Sequence, residues 1–139
     1  MKRIACYLAL AFCLPAYVQA QNTAAISVET VPPVVVQTVP QAGAVAVDPG
    51  LKQIQVTFSK PMQRGNWSWV QLSADTFPTM EGQPRYLDDE RTCVLPVTLK
   101  PNRTYAIWLN VDQYTHFKDQ QGRSSVPYLL VFRTGSGGR

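Results

Sequence analysis

Residues 51–62 read Leu51-Lys52-Gln53-Ile54-Gln55-Val56-Thr57-Phe58-Ser59-Lys60-Pro61-Met62. Ile54, Val56 and Phe58 alternate with Gln53, Gln55, Thr57 and Ser59. Successive side chains of an extended strand point to opposite sides, so this period of two makes one apolar face and one polar face. The stretch predicts a strand over 51–59. Pro61 has no N–H to give to a ladder, which ends it at Lys60-Pro61-Met62. Asp48-Pro49-Gly50, just upstream, is turn chemistry.

The same rhythm recurs on both sides. Val34 to Val39 precedes it, stopped by Pro40 and the turn Gln41-Ala42-Gly43-Ala44. Asn66 to Leu72 follows, with Trp67 and Trp69 on one face. Pro84 to Leu87 is a short strand joined through Asp88-Asp89-Glu90-Arg91 to Thr92–Leu99. There Cys93, Leu95, Val97 and Leu99 oppose Thr92, Val94, Pro96 and Thr98, so Cys93 belongs to the core-facing set and its thiol is expected to be inert. Pro96 implies an edge position or a bulge. Thr104–Leu109 places Tyr105, Ile107 and Leu109 inward and Trp108 outward; Tyr128–Thr134 places Tyr128, Leu130 and Phe132 inward. No stretch holds a helical period. Seven short strands with regular turn signals predict an all-β chain folded as a single antiparallel β-sandwich.

Leu99-Lys100-Pro101-Asn102-Arg103-Thr104-Tyr105 sharpens this reading. A Pro101-containing turn leads into a strand that opens on Tyr, the arrangement of an immunoglobulin-type tyrosine corner. The Tyr105 ring would fill the end of the core and its hydroxyl would satisfy a buried carbonyl.

The chain has 139 residues, 45% hydrophobic and 16% charged. That length allows one domain, and the apolar fraction excludes a disordered chain. Lys2 and Arg3, the apolar stretch Ile4–Ala16 and the small residues of Val18-Gln19-Ala20 together read as an export signal. Cleavage is expected after Ala20. The apolar stretch is too short to span a bilayer, so no transmembrane segment is expected after cleavage. Cys13 suggests a lipoprotein signal, but the bulky Phe12 before it argues against one. A lead-in over 21–33, a domain over 34–134 and a loose tail over 135–139 complete the layout. The cleaved chain keeps Cys93 as its one cysteine and carries eleven basic against nine acidic residues, a net charge of +2. That is too weak and too evenly spread for nucleic acid.

Several of these stretches resemble a known family. Val34–Pro40, Gly43-Ala44, Val47-Asp48-Pro49 and Ile54–Met62 look like the opening of bacterial Ig-like domains of the S-layer-protein (SbsA) type. Leu99-x-Pro101-x-x-x-Tyr105 resembles a later motif of that family, as do Lys118-Asp119-Gln120-Gln121-Gly122 and the closing Val131-Phe132-Arg133-Thr134. The resemblance covers residues 34–134 and implies an immunoglobulin-like fold. It also implies an extracytoplasmic, non-catalytic role in interaction, adhesion or structural support.

Little catalytic chemistry is available. His116 is the only histidine, with Asp112 and Asp119 nearby in sequence, but no nucleophile motif accompanies it. Asp88, Asp89 and Glu90 could approach calcium, although three adjacent side chains cannot supply its six to eight oxygens. No cofactor and no resident metal is expected. The aromatics offer the better lead. Trp108, Tyr114 and Phe117 are the candidate binding residues, while Tyr105, Pro101, Trp67, Trp69, Cys93 and Phe58 are assigned structural roles. The expected protein is a periplasmic or secreted monomer that binds a protein or glycan of the cell envelope. A small carbohydrate-binding protein using exposed aromatics is the alternative.

Overall fold

The computed structural model describes residues 25–137. The expected signal segment, its cleavage point and the end of the tail lie outside the described residues. Eight strands run in chain order: β1 (Val35–Val39), β2 (Gln53–Phe58), β3 (Trp69–Gln71), β4 (Thr79–Met80), β5 (Arg85–Tyr86), β6 (Thr92–Thr98), β7 (Thr104–Leu109) and β8 (Tyr128–Arg133). They form two antiparallel sheets, ordered β1-β2-β6-β4 and β3-β7-β8, with β5 pairing the same side of β6 as β4. The predicted all-β sandwich is the observed architecture.

The period-two reading is visible in the burial. Ile54, Val56 and Phe58 are fully buried, and the residues between them are half-buried. Cys93, Leu95 and Val97 join them from β6; Tyr105, Ile107 and Leu109 face them from β7, and Leu130 and Phe132 from β8. Burying each such Val, Leu, Ile or Phe side chain is worth about 1.5–3 kcal/mol, which makes this layer the dominant source of stability. Val94, on the other face of β6, is buried as well.

Two strands differ from expectation. The third strand is shorter than 66–72: only Trp69–Gln71 pairs, and Trp67 precedes it. The two-residue β4, with no period to reveal it, was absent from the sequence reading. Pro96 is neither at an edge nor in a bulge. Val97 N–H donates to Lys52 C=O at 2.9 Å, so position 96 turns its backbone nitrogen to the other side. There Glu81 N–H donates to Pro96 C=O at 3.0 Å, and the neighbouring strand is interrupted between β4 and β5.

The turns follow the predicted chemistry. Asp48 Oδ1 accepts from Gly50 N–H at 2.7 Å. Asp119 Oδ1 accepts from the N–H groups of Gln121 and Arg123, while Gly122 takes the positive φ of 81° that closes the loop. At the corner, Tyr105 Oη accepts from Lys100 N–H at 2.8 Å. The corner is therefore present, but the phenol satisfies a donor rather than a carbonyl. The Lys100 carbonyl is taken by Thr134 Oγ1 at 2.6 Å.

Candidate functional site

A groove of about 370 Å³ opens along β3, between the edges of the two sheets. Trp67, Trp69 and Gln71 line it from one side, Phe77 and Met80 from the segment that crosses to the other sheet, and Tyr114 and His116 from the β7–β8 loop. Local rules explain the shape. After β3, Ser73 and Thr76 close a one-turn 3-10 element, in which Thr76 Oγ1 accepts from Ser73 N–H at 3.1 Å and donates to Ser73 C=O at 3.0 Å. The turn redirects the chain and sets Phe77 partly against the core.

The β7–β8 loop is organised by Asn110, which is fully buried with φ 60°. Its Oδ1 accepts from Phe117 N–H at 3.0 Å, and its Nδ2 donates to the carbonyls of Phe117 at 3.0 Å and Ser125 at 3.2 Å. The side-chain amide thus replaces a strand partner. A tight turn follows, with paired backbone bonds between Val111 and Tyr114 at 3.0 and 2.8 Å. His116 N–H donates to the buried Ser68 Oγ at 2.9 Å, tying the loop to the start of β3. The result sends Phe117 inward and leaves Tyr114 at the tip.

The three candidate binding residues therefore part company. Tyr114 is 49% exposed and lines the groove. Trp108 is half-buried on the outer face of its sheet, between Val70 and Leu129, and does not line it. Phe117 corrects the expectation: it is 0% exposed, 5.0 Å from the Phe58 ring and 5.8 Å edge-on to Trp69, because Asn110 draws its backbone into the core. Trp67 and Trp69, assigned to structure, pack on the core and line the groove at once. Phe77 and Met80 escaped sequence reading, since neither lies in a periodic stretch. Pro101 is exposed in the corner turn, as a turn residue should be.

Among the described residues no Asp, Glu, Lys or Arg lines the groove. Cys93, beneath its floor, is fully buried, and burial pushes its thiol up to about 12. Among the described residues the Trp69 indole N–H finds no hydrogen-bond partner of ordinary geometry; its nearness to the sulfur favours the thiolate only slightly against that burial. Burial also pushes the Tyr86 phenol well above its usual range.

A second concavity, of about 520 Å³, lies beside Lys60, Arg91 and Arg123. Its cations hold the chain itself. Asp119, fully buried, accepts from Arg123 Nε at 2.8 Å and from Lys60 Nζ at 3.4 Å. Lys60 and Arg123 then donate to the carbonyls of Glu29, Thr30 and Val31. Part of the segment expected as a flexible lead-in is thus pinned to the body. Lys60 and Asp119 each fall in a motif-like stretch, but their pairing is not legible in the sequence, because only folding joins them.

The remaining candidates resolve simply. Asp89 accepts from the N–H groups of Arg91 and Thr92 and from Thr92 Oγ1, so its oxygens cap the turn. Among the described residues no group of three His, Cys, Asp or Glu is placed to hold a metal ion. The Ser68 hydroxyl meets the His116 main chain and not its ring, and Asp119 is engaged by Arg123 and Lys60. That arrangement is not a nucleophile–base–acid relay, which requires the imidazole between hydroxyl and carboxylate. No helix among the described residues is long and apolar enough to cross a membrane.

A two-sheet sandwich closed by a tyrosine corner defines an immunoglobulin-like domain. A family model described as a bacterial Ig-like domain matches residues 29–134, and the chain belongs to that family. Among solved structures, the N-terminal part of the bacterial S-layer protein SbsC is similar at 19% identity and a TM-score of 0.50, over 77% of this chain and 24% of that one. The S-layer protein rSbsC(31-844) is similar at 19% identity and a TM-score of 0.49, over 76% of this chain and 14% of that one. This chain therefore spans a quarter or less of those chains, and the likeness is one of fold. No curated protein matched.

Proposed function

We propose that this protein is an exported, non-catalytic Ig-like module of the bacterial cell envelope, and that the groove beside β3 is its recognition surface. One observation carries the reading: a concavity lined by Trp67, Trp69, Phe77, Met80 and Tyr114, with His116 but no Asp, Glu, Lys or Arg, stays open at the sheet edge. Concave apolar surfaces with aromatic walls are where ligands and partners bind. Its volume lies within the range of roughly 300–1,000 Å³ usual for binding pockets. Membership of the bacterial Ig-like family supports an extracytoplasmic place, and the basic and apolar start of the chain supports export with removal of residues 1–20. The test is cell fractionation with N-terminal sequencing of the recovered protein, then retrieval of partners from periplasmic extract. A chain beginning at Gln21, with a partner lost on Trp67→Ala and Tyr114→Ala together, supports the reading. A cytosolic chain that keeps Met1 defeats it.

The alternative is a carbohydrate-binding module. It is favoured by Trp67 and Tyr114 lining one groove, since flat aromatic faces suit the apolar faces of sugar rings. Quenching of tryptophan fluorescence by a soluble oligosaccharide, abolished by Tyr114→Ala, would favour it over a protein partner.

A further inference from the structure

The two sheets leave four outer margins, and they are not equivalent. The margin of β8 is covered by residues 43–47: Gly43 N–H donates to Val131 C=O at 2.7 Å, Val47 N–H to Arg133 C=O at 3.0 Å, and Arg133 N–H to Ala44 C=O at 2.8 Å. The β4/β5 margin consists of two strands of two residues each. β1 carries a bulge between Val35 and Gln37. Covering, shortening and bulging are the devices by which proteins keep an edge from pairing with another chain.

β3, at three residues, is also short, but it is neither covered nor bulged. Asn110 N–H donates to Ser68 C=O at 3.2 Å, and Leu72 N–H donates to Ala106 C=O at 3.4 Å. Positions 68, 70 and 72 therefore turn their backbone groups toward β7, and the alternation turns those of Trp69 and Gln71 outward. Among the described residues, neither finds a backbone or side-chain partner. These free donors and acceptors run beside the groove, whose lining among the described residues carries no Asp, Glu, Lys or Arg.

We propose that β3 accepts an extended, uncharged peptide segment of a partner protein as an added strand. Trp69 and Gln71 would exchange main-chain hydrogen bonds with it, while its alternate apolar side chains enter the groove between Trp67, Phe77, Met80 and Tyr114. Main-chain pairing supplies affinity and the groove supplies selectivity, as in other strand-addition sites. A lining without Asp, Glu, Lys or Arg sets the chemistry of the occupant, because a charged side chain placed there would lose its hydration with no carboxylate, ammonium or guanidinium to pair with. The inference rests on the groove being the recognition surface, and it names what that surface takes.

The test uses the full mature chain, isotope-labelled, with a capped, uncharged eight-residue peptide alternating Thr and Val as probe. Binding is expected to slow amide exchange at Trp69 and Gln71 selectively, since Val70 and Leu72 are already bonded to β7. Gln71→Pro removes one outward N–H and is tolerated at an edge whose N–H faces solvent. It is expected to weaken peptide binding about tenfold, the equivalent of one lost hydrogen bond, with little change in melting temperature. Unchanged affinity in that variant overturns the proposal, as does protection appearing on β1 instead. If the peptide is silent and a β-1,4-linked glucose hexamer perturbs the Trp67 and Tyr114 rings, strand addition is refuted and the groove remains the recognition surface. If neither probe perturbs the groove, both readings fall.

Discussion

Tyr105 and Lys100 are joined by a single hydrogen bond that closes one end of the sandwich: Lys100 N–H donates to Tyr105 Oη at 2.8 Å. Thr134 Oγ1 completes the corner by donating to the Lys100 carbonyl at 2.6 Å, and it accepts from Arg103 N–H at 2.9 Å. Two side chains thus satisfy the backbone of a turn that has no strand partner. Tyr105→Phe keeps the ring, which stacks on Phe132 at 5.3 Å, and orphans the Lys100 N–H. The expected loss is about 1–2 kcal/mol in urea unfolding. Combined with Thr134→Val, the losses should deviate from additivity, because the two residues serve the same backbone unit.

Phe117→Ala and Tyr114→Ala separate core from surface within one short loop. Phe117 is fully buried against Phe58 and Trp69, so its truncation should cost about 3–5 kcal/mol. Tyr114 is half-exposed at the loop tip, and its truncation should stay within about 0.5 kcal/mol. Equal effects in chemical denaturation would contradict the geometry of the Asn110-organised loop.

Asp119 has a pH signature. Burial pushes its carboxyl up, but the Arg123 N–H and guanidinium and the Gln121 N–H outweigh it and hold the group below its ordinary value. A folded pKa below the unfolded one adds stability at every pH above the ordinary carboxylate value of about 4. That stability is lost as pH falls through the lower folded value. Thermal midpoints of the wild type should therefore drop steeply below about pH 4. Asp119→Asn should flatten that limb, and at neutral pH should cost about 3–5 kcal/mol by leaving Lys60, 8% exposed, without its counter-charge.

Cys93 should be chemically silent while the chain is folded. Its thiol is buried and pushed up to about 12, so almost no thiolate exists at pH 8. A thiol reagent such as iodoacetamide should label it only after denaturant unfolds the chain. Labelling of the native protein within minutes at pH 8 would contradict the packing between the sheets.

Much of the fold was legible because its signals are local. Ile54, Val56 and Phe58 announce their face by alternation, and the spacing from Pro101 to Tyr105 announces the corner. The donor in that corner was not legible, since a hydroxyl can give or accept and only the placement of Lys100 decides. The candidate site was half legible. Tyr114 was picked out as a loop aromatic, whereas Trp67 and Trp69 looked like plain packing, because alternation cannot tell a core wall from a groove wall. Phe117 was misplaced for the opposite reason: a loop has no period, and its burial depends on the Asn110 amide seven residues away.

Sequence alone settled the all-β class, the strands that carry the core, the turn chemistry and the core-facing side of Cys93. Each depends on neighbours within a few positions, where backbone geometry dictates which way a side chain points. Tertiary structure alone decided that Lys60 meets Asp119, that residues 43–47 cover β8 while β3 stays open, and that Phe77, Met80 and Tyr114 share a wall with Trp67. Those relations join residues tens of positions apart, and it is the stacking of the two sheets that brings them together.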